Sequence, residues 1–232
     1  MLNETFKRYQ LSINVSKPKT MTINSTSEDY PSTIAQLNGV EIKNVDCFCY
    51  LGAQIHNAEH TTGDAEINFR IDSAENKFYQ HGKKFMNKRI SLGTRVQILN
   101  SLVRSRLTYG CQTWTLSARH ESQLSATYNR MLRMMIRKGF KRKDDSWAFV
   151  LTNEDLYSRA RTESVIKFIQ KQQERYAMKI IRSDEKSLIK RVAFNSDVAH
   201  RRGRTNELLK SVAERSGLTP NEFYKQASSD AT

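Results

Sequence analysis

At 232 residues, with 38% hydrophobic and 27% charged side chains, the chain is long enough to bury a core in one or two domains. No apolar run approaches the roughly eighteen residues of a membrane span, and the start, Met1 to Arg8, lacks an apolar core after its charges, so neither membrane partner nor secretory leader is expected. A formal net charge of +14 argues against a cationic partner and for a polyanionic one.

The charge is unevenly spread. Residues 1–60 carry 5 basic and 6 acidic side chains, residues 61–150 carry 17 and 7, and residues 151–232 carry 16 and 11. The three cysteines, Cys47, Cys49 and Cys111, are odd in number, and the first two lie too close along one strand to bridge. That pattern fits a reducing, intracellular compartment. No Cys-x-x-Cys pair is present, and no metal site is expected.

In chain order, Leu11/Ile13/Val15 and Met21/Ile23 alternate with period two and predict strands over 11–15 and 19–25. Ile34 to Ile42 contains Asn38-Gly39, a dipeptide that tolerates positive φ and suits a tight hairpin turn. A further strand runs from Cys47 to Ile55, with Gly52 marking a bulge or a close backbone approach. After His56 the periodicity becomes helical. Asp64 can cap a helix with Ile67, Ile71, Ala74, Phe78 and Phe85 on one face. Ser91 caps the next, which carries Leu92, Val96, Leu99 and Val103, and Ser117 opens a third with Leu124, Tyr128, Met131 and Met135 facing inward.

Lys138 to Asp145 is charged and aperiodic, and reads as a solvated linker. Thr152, with Asp155 three residues later, starts one long helix to about Ile181 that carries Leu156, Ala160, Phe168 and Ile169. Thr219-Pro220-Asn221-Glu222 is a capping box with proline at the first helical position, so a short last helix follows. The expected class is α+β: a small antiparallel β unit over 1–60, a helical domain over 61–143 and a helical C-terminal region over 144–232.

Several of these stretches carry a resemblance. Leu11-x-Ile13-Asn14-x-x-Lys17-x-Lys19 followed by Phe48-x-Tyr50-Leu51-Gly52-x-x-Ile55 resembles the end of the palm and the primer grip of reverse transcriptases from non-LTR (LINE-like) retrotransposons. Leu107-x-Tyr109-Gly110-x-x-Thr113-Trp114 and the run from Leu124 to Ile136 resemble that family's helical thumb, so the likeness spans about residues 11–140. Arg201-Arg202-Gly203-Arg204 resembles a basic stretch near the end of such elements. The resemblance implies a palm end, a thumb and a connector from an RNA-directed DNA polymerase that works in the nucleus on an RNA/DNA template–primer duplex. In the family the catalytic Tyr-x-Asp-Asp turn lies before this segment, and here ten residues precede Leu11.

A polymerase needs two carboxylates to hold two divalent ions about 4 Å apart. The complete enzyme would use Mg2+; Asp29, Asp46 and Asp144-Asp145 do not suit that work, so this chain alone is expected to hold no cofactor and to be inactive. The resemblance places Lys17 near nucleotide phosphates, and Phe48, Tyr50, Leu51 and Gly52 in a primer-grip-like strand. Core packing is the ordinary expectation for Tyr50 and Leu51, and a structural one for Tyr109 and Trp114. Lys83, Lys84, Lys88, Arg89 and Arg95 form one basic cluster and Arg130, Arg133, Arg137 and Lys138 another, both off the apolar stripes and suited to sugar-phosphate contacts. Three readings stand: a piece of a reverse transcriptase lacking its catalytic aspartates, a non-enzymatic or domesticated nucleic-acid-binding protein, and a helical interaction module.

Overall fold

Alternating side chains around a turn residue that accepts positive φ close the first hairpin. Thr33–Leu37 (β1) pairs antiparallel with Val40–Lys43 (β2), Leu37 lies opposite Val40, and Gly39 has φ +77°. The computed structural model describes residues 8–10, 17–22, 33–37, 39–57, 63–136, 140–143, 146–149, 151–184, 186–190 and 207–229. They divide into two units, Met1–Glu66 and Ile67–Thr232.

In the first unit the expected strand from Cys47 to Ile55 is instead a second hairpin. Cys47–Tyr50 (β3) pairs with Ala53–His56 (β4), with Tyr50 opposite Ala53. Leu51 and Gly52 form the turn at φ +49° and +87°, the two positive values that a type I′ connection demands. Gly52 is therefore a turn residue and marks no bulge. The expected core packing of Tyr50 and Leu51 is also corrected: they are 57% and 77% exposed, because the turn carries them away from the strand's apolar neighbours. Asn57 closes the hairpin, its amide donating to the Asp46 carbonyl at 2.9 Å and its Nδ2 to the Asp46 carboxylate at 2.8 Å. The strand expected over 19–25 reduces, within the described residues, to one parallel bridge between Thr20 and Asn44. The strand expected over 11–15 lies outside them.

The second unit is helical apart from one further hairpin. Asp64–Gln80 (α1) buries Ile67, Ala74 and Phe78; Asp64, expected as its cap, is already helical and stands with Glu66 in the first turn, where the helix dipole favours a carboxylate. The helix stops before His81, and Gly82–Phe85 (α2) turns Phe85 back so that its ring stacks on Phe78 at 5.0 Å. Ser91 caps Leu92–Leu99 (α3), its Oγ accepting from the Thr94 amide at 3.1 Å. A π-helical segment, Asn100–Arg104, and the turn Ser105–Leu107 (α4) continue it. Gly110 at φ +78° then reverses the chain into a 3-10 turn, Cys111–Thr113. Ala118–Ile136 (α5) buries Leu124, Tyr128, Met131 and Met135, the four positions that the spacing placed inward.

The linker expected over Lys138 to Asp145 contains half of an antiparallel hairpin, Phe140–Lys143 (β5) with Ser146–Phe149 (β6). The long helix expected from Thr152 to Ile181 is two helices. Thr152 caps Asn153–Ala160 (α6), and Ser164 caps Val165–Ile181 (α7), its Oγ accepting from the Lys167 amide at 3.2 Å. Between them Arg161 takes φ +49°. Its amide donates to the Ser158 carbonyl, and that of Thr162 to the Tyr157 carbonyl, both at 3.1 Å, the bond pair of a Schellman stop. Glu207–Arg215 (α8) and Pro220–Ser229 (α9) follow. The capping box at α9 forms as spelled: the Thr219 amide donates to Glu222 Oε2 at 2.8 Å and the Glu222 amide to Thr219 Oγ1 at 3.3 Å.

One apolar core runs through α1 to α7, from Ile67 to Ile169, so residues on both sides of the boundary expected at 143–144 share it. A second joins Ala177 and Ile181 of α7 to Leu209, Val212, Phe223 and Ala227. Arg95 is buried, 8% exposed. Its Nη1 donates to the Phe85 carbonyl at 2.8 Å and the Met135 carbonyl at 3.0 Å, and its Nε to the Ile90 carbonyl at 3.1 Å.

We expect Arg95→Met to fill the space yet strand three carbonyls, lowering stability by about 3 kcal/mol, as read from urea unfolding. A midpoint equal to that of the wild type would show that these bonds contribute nothing net. At the other hairpin, Leu51→Gly removes a side chain from a left-handed position and should stabilise the β3–β4 turn by up to about 1 kcal/mol. Slower amide exchange across β3–β4 would register that gain.

Candidate nucleic-acid interface

The helix junctions sort the basic residues into three environments. At the first junction Lys83 and Lys84 on α2, and Lys88 and Arg89 in the turn before Ser91, are all exposed. The turn is built locally: Asn87 Oδ1 accepts from the Arg89 amide at 3.0 Å, and the Ile90 amide donates to the Asn87 carbonyl at 3.2 Å. Four cations within seven residues thus stand on a short helix and a hydrogen-bonded turn. His81 stands at the start of this junction, its carbonyl accepting from the Lys84 amide at 2.9 Å. Its pKa falls below the usual histidine value through lost hydration and through the positive charges of Lys77 and Lys84.

The second environment is internal. Arg95 was expected beside this cluster on the surface, and Arg133 on a second basic face; both are buried. Arg133 Nη2 donates to Asn153 Oδ1 at 2.7 Å and to the Leu151 carbonyl at 3.4 Å. Asn129 donates to the same Asn153 oxygen at 3.2 Å, and Tyr157 donates its hydroxyl proton to Asn129 Oδ1 at 2.7 Å. This chain ties α5 to the start of α6. Burial lowers the Arg133 pKa from the ordinary guanidinium value. The reason both residues stand inside is chemical: guanidinium groups reach several acceptors at once, and helix ends supply carbonyls that need them.

The third environment is the partly engaged surface. Arg130 is exposed and pairs with Glu75 of α1, a surface pair that contributes at most about 1 kcal/mol. Arg137 and Lys138 lie outside the described residues. Tyr109, expected as structural, is 51% exposed, and the Arg70 guanidinium lies 4.6 Å from its ring centroid. Trp114 packs against the main core, and its carbonyl accepts from Gln173 Nε2 at 2.9 Å. In the other unit Lys17 is exposed, Phe48 is half-buried, and Tyr50, Leu51 and Gly52 are exposed on the β3–β4 turn.

Among the described residues no group of three or more His, Cys, Asp or Glu side chains is placed to hold a metal ion. Asp46 is occupied by Asn57; Asp29, Asp144 and Asp145 lie outside the described residues. His56 and His60 have the i, i+4 spacing that puts two imidazoles on one face of a helix, but His56 ends strand β4 and His60 lies outside the described residues. Among the described residues no helix is long and apolar enough to cross a membrane.

The sequence reading missed Arg161, because a continuous helix through 152–181 hid the break that displays it. Ser164, three residues before Lys167, was the available signal. Comparison with protein families, with curated proteins and with solved structures finds no match to this chain.

Burial also separates the thiols. Cys111 is 1% exposed and its thiol is pushed up to about 11, whereas Cys47 and Cys49 are exposed. We expect a thiol reagent such as Ellman's to titrate two cysteines in the native chain and the third only after unfolding. Desolvation likewise raises the Tyr128 hydroxyl, with the Thr162 bond and Arg104 opposing it. Both groups keep their protons in the folded chain where the unfolded chain ionises, so unfolding releases protons. Stability should hold below the unfolded thiol's 9.0 and fall as pH rises toward 11. Urea midpoints at pH 8 and pH 10 measure the difference.

Proposed function

We propose that this chain is a nucleic-acid-binding part of an RNA-directed DNA polymerase of the non-LTR retroelement kind. In this reading residues 11–55 are the end of a palm, α1 to α5 act as a thumb on the template–primer duplex, and the helices after β6 are a connector. The catalytic carboxylates and their Mg2+ belong to a part of the enzyme outside this sequence. The reading is supported by the stretches that resemble the family and by the concentration of charge after residue 60.

The observation that carries it is the exposed quartet Lys83, Lys84, Lys88 and Arg89 on α2 and the turn that follows it. Such a patch neutralises phosphates without reading bases, which suits a duplex of any sequence. Arg130 extends the positive surface on α5, in part offset by Glu75. Arg95 and Arg133 leave the contact set, since their guanidinium groups are committed to carbonyl and amide oxygens inside the fold.

The test is fluorescence anisotropy with an RNA–DNA hybrid across a salt series. Each neutralised phosphate adds about 0.9 to the log–log salt slope on duplex DNA. Replacing Lys83, Lys84, Lys88 and Arg89 together by serine should therefore reduce the slope by up to about 3.6, with helicity and urea midpoint unchanged because the side chains are exposed. In the wild-type chain the His81 pKa, followed by NMR, should rise when the hybrid binds, as phosphates offset the lysine field. Affinity that ignores both salt and the four substitutions would sink the reading and leave a helical protein-interaction module.

A further inference from the structure

Two helices in this chain end in the same motif with different residues. At the end of α8 the Gly217 amide donates to the Glu214 carbonyl at 3.1 Å and the Leu218 amide to the Ala213 carbonyl at 3.0 Å. Gly217 has φ +70° there, the usual choice because a residue without Cβ adopts this conformation without penalty. At the end of α6 the bonds are the same, but the left-handed residue is Arg161 at φ +49°. A residue with a Cβ is disfavoured in that conformation relative to glycine. A retained cost of this kind points to what the side chain does.

Arg161 stands at a cleft of about 670 Å³ between the π-helical segment and the α6–α7 junction. Its wall carries the cations Arg104, Arg161, Lys167 and Lys171, a single carboxylate, Glu163, and the Thr162 hydroxyl. Glu163 pairs with Lys171 at 2.5 Å. Arg104, Arg161 and Lys167 have no carboxylate partner among the described residues. The wall is also held in place. The Arg104 guanidinium lies 4.1 Å from the Phe168 ring centroid. Beneath it Tyr128 donates its hydroxyl proton to Asn100 Oδ1 at 2.6 Å and lies 3.3 Å from Thr162 Oγ1, while Asn100 Nδ2 donates to Thr162 Oγ1 at 3.4 Å. Asn100 and Arg104, four residues apart on the π-helical segment, share this wall.

We propose that this cleft binds the phosphate group of a nucleotide or nucleic acid, with Arg161 and Lys167 at its mouth and Arg104 on its wall. Three cations not paired to the one carboxylate of the wall match a multiply charged oxyanion better than a carboxylate, and the guanidinium fork suits two phosphate oxygens at once. The polar wall disfavours an apolar ligand. The site is separate from the Lys83–Arg89 quartet, and its nucleic-acid form rests on the function proposed above.

The experiment is calorimetric titration of the full chain with inorganic pyrophosphate, set beside Arg161→Gly combined with Lys167→Ser. We expect the wild-type chain to bind and the variant to bind at least tenfold more weakly, since losing a single charge-assisted bond already accounts for about tenfold. The variant's urea midpoint should hold or rise, because glycine relieves the left-handed residue; a merely structural arginine would show a fall. No binding by the wild-type chain, or equal binding by both, overturns the proposal. With pyrophosphate weakened, hybrids with and without a 5′-phosphate identify the source. Loss confined to the 5′-phosphorylated hybrid assigns a terminal phosphate, loss on both an internal phosphodiester, and loss on neither a free nucleotide. The two proposals fail separately. Pyrophosphate binding at the cleft without hybrid binding overturns the polymerase reading alone; hybrid binding with no pyrophosphate site overturns the cleft alone.

Discussion

The helical unit depends on one buried cation that closes two helix ends. Phe85 ends α2, Met135 lies one residue before the end of α5, and Ile90 sits in the turn before α3; all three carbonyls accept from Arg95. Carbonyls in the last turn of a helix have no partner in their own helix. Two such ends meeting in an apolar interior would each leave a carbonyl desolvated, at a cost of about 1–3 kcal/mol apiece. A guanidinium answers both with one group, and the negative ends of the two helix dipoles favour its charge. The packing of Phe78 on Phe85, and of Val96 and Leu99 beneath α5, presupposes that junction.

The same residue type does different work elsewhere in the chain. Arg133 anchors α5 to the start of α6 through Asn153, Arg70 and Arg104 lie over aromatic rings, and Lys83, Lys84, Lys88 and Arg89 face water. Net charge therefore overstates the surface available to a polyanion, and the useful map is the exposed cations that lack acidic neighbours. Among the described residues that map includes the α2 turn and the α6–α7 cleft, where the one carboxylate, Glu163, pairs with Lys171, and only the first coincides with a charge cluster visible in the sequence.

Helix starts were more legible than helix ends. Ser91, Ser117, Thr152 and the Thr219–Glu222 box each cap where the sequence placed them, because a cap is a local event between a side chain and an amide three residues away. The stop at Arg161 was hidden because nothing in its side chain announces positive φ. The turn at Leu51-Gly52 was hidden for a related reason, since an apolar Tyr-Leu pair reads as strand interior. The break at His81 and the β5–β6 hairpin were likewise read as continuous helix and as linker.

By itself the sequence determined the class, the placing of the first two hairpins' β region before the helices, the inward faces of α1, α3 and α5, and the concentration of basic charge after residue 60. Those follow from period, caps and composition, which act over a turn or two of chain. Only the tertiary structure decided which cations are free. Arg95 and Lys83 look equivalent along the chain, yet one meets three carbonyls from segments up to forty residues away and the other meets solvent. Whether a charge is a structural tie or a binding group depends on where distant helix ends arrive, and that is a property of packing.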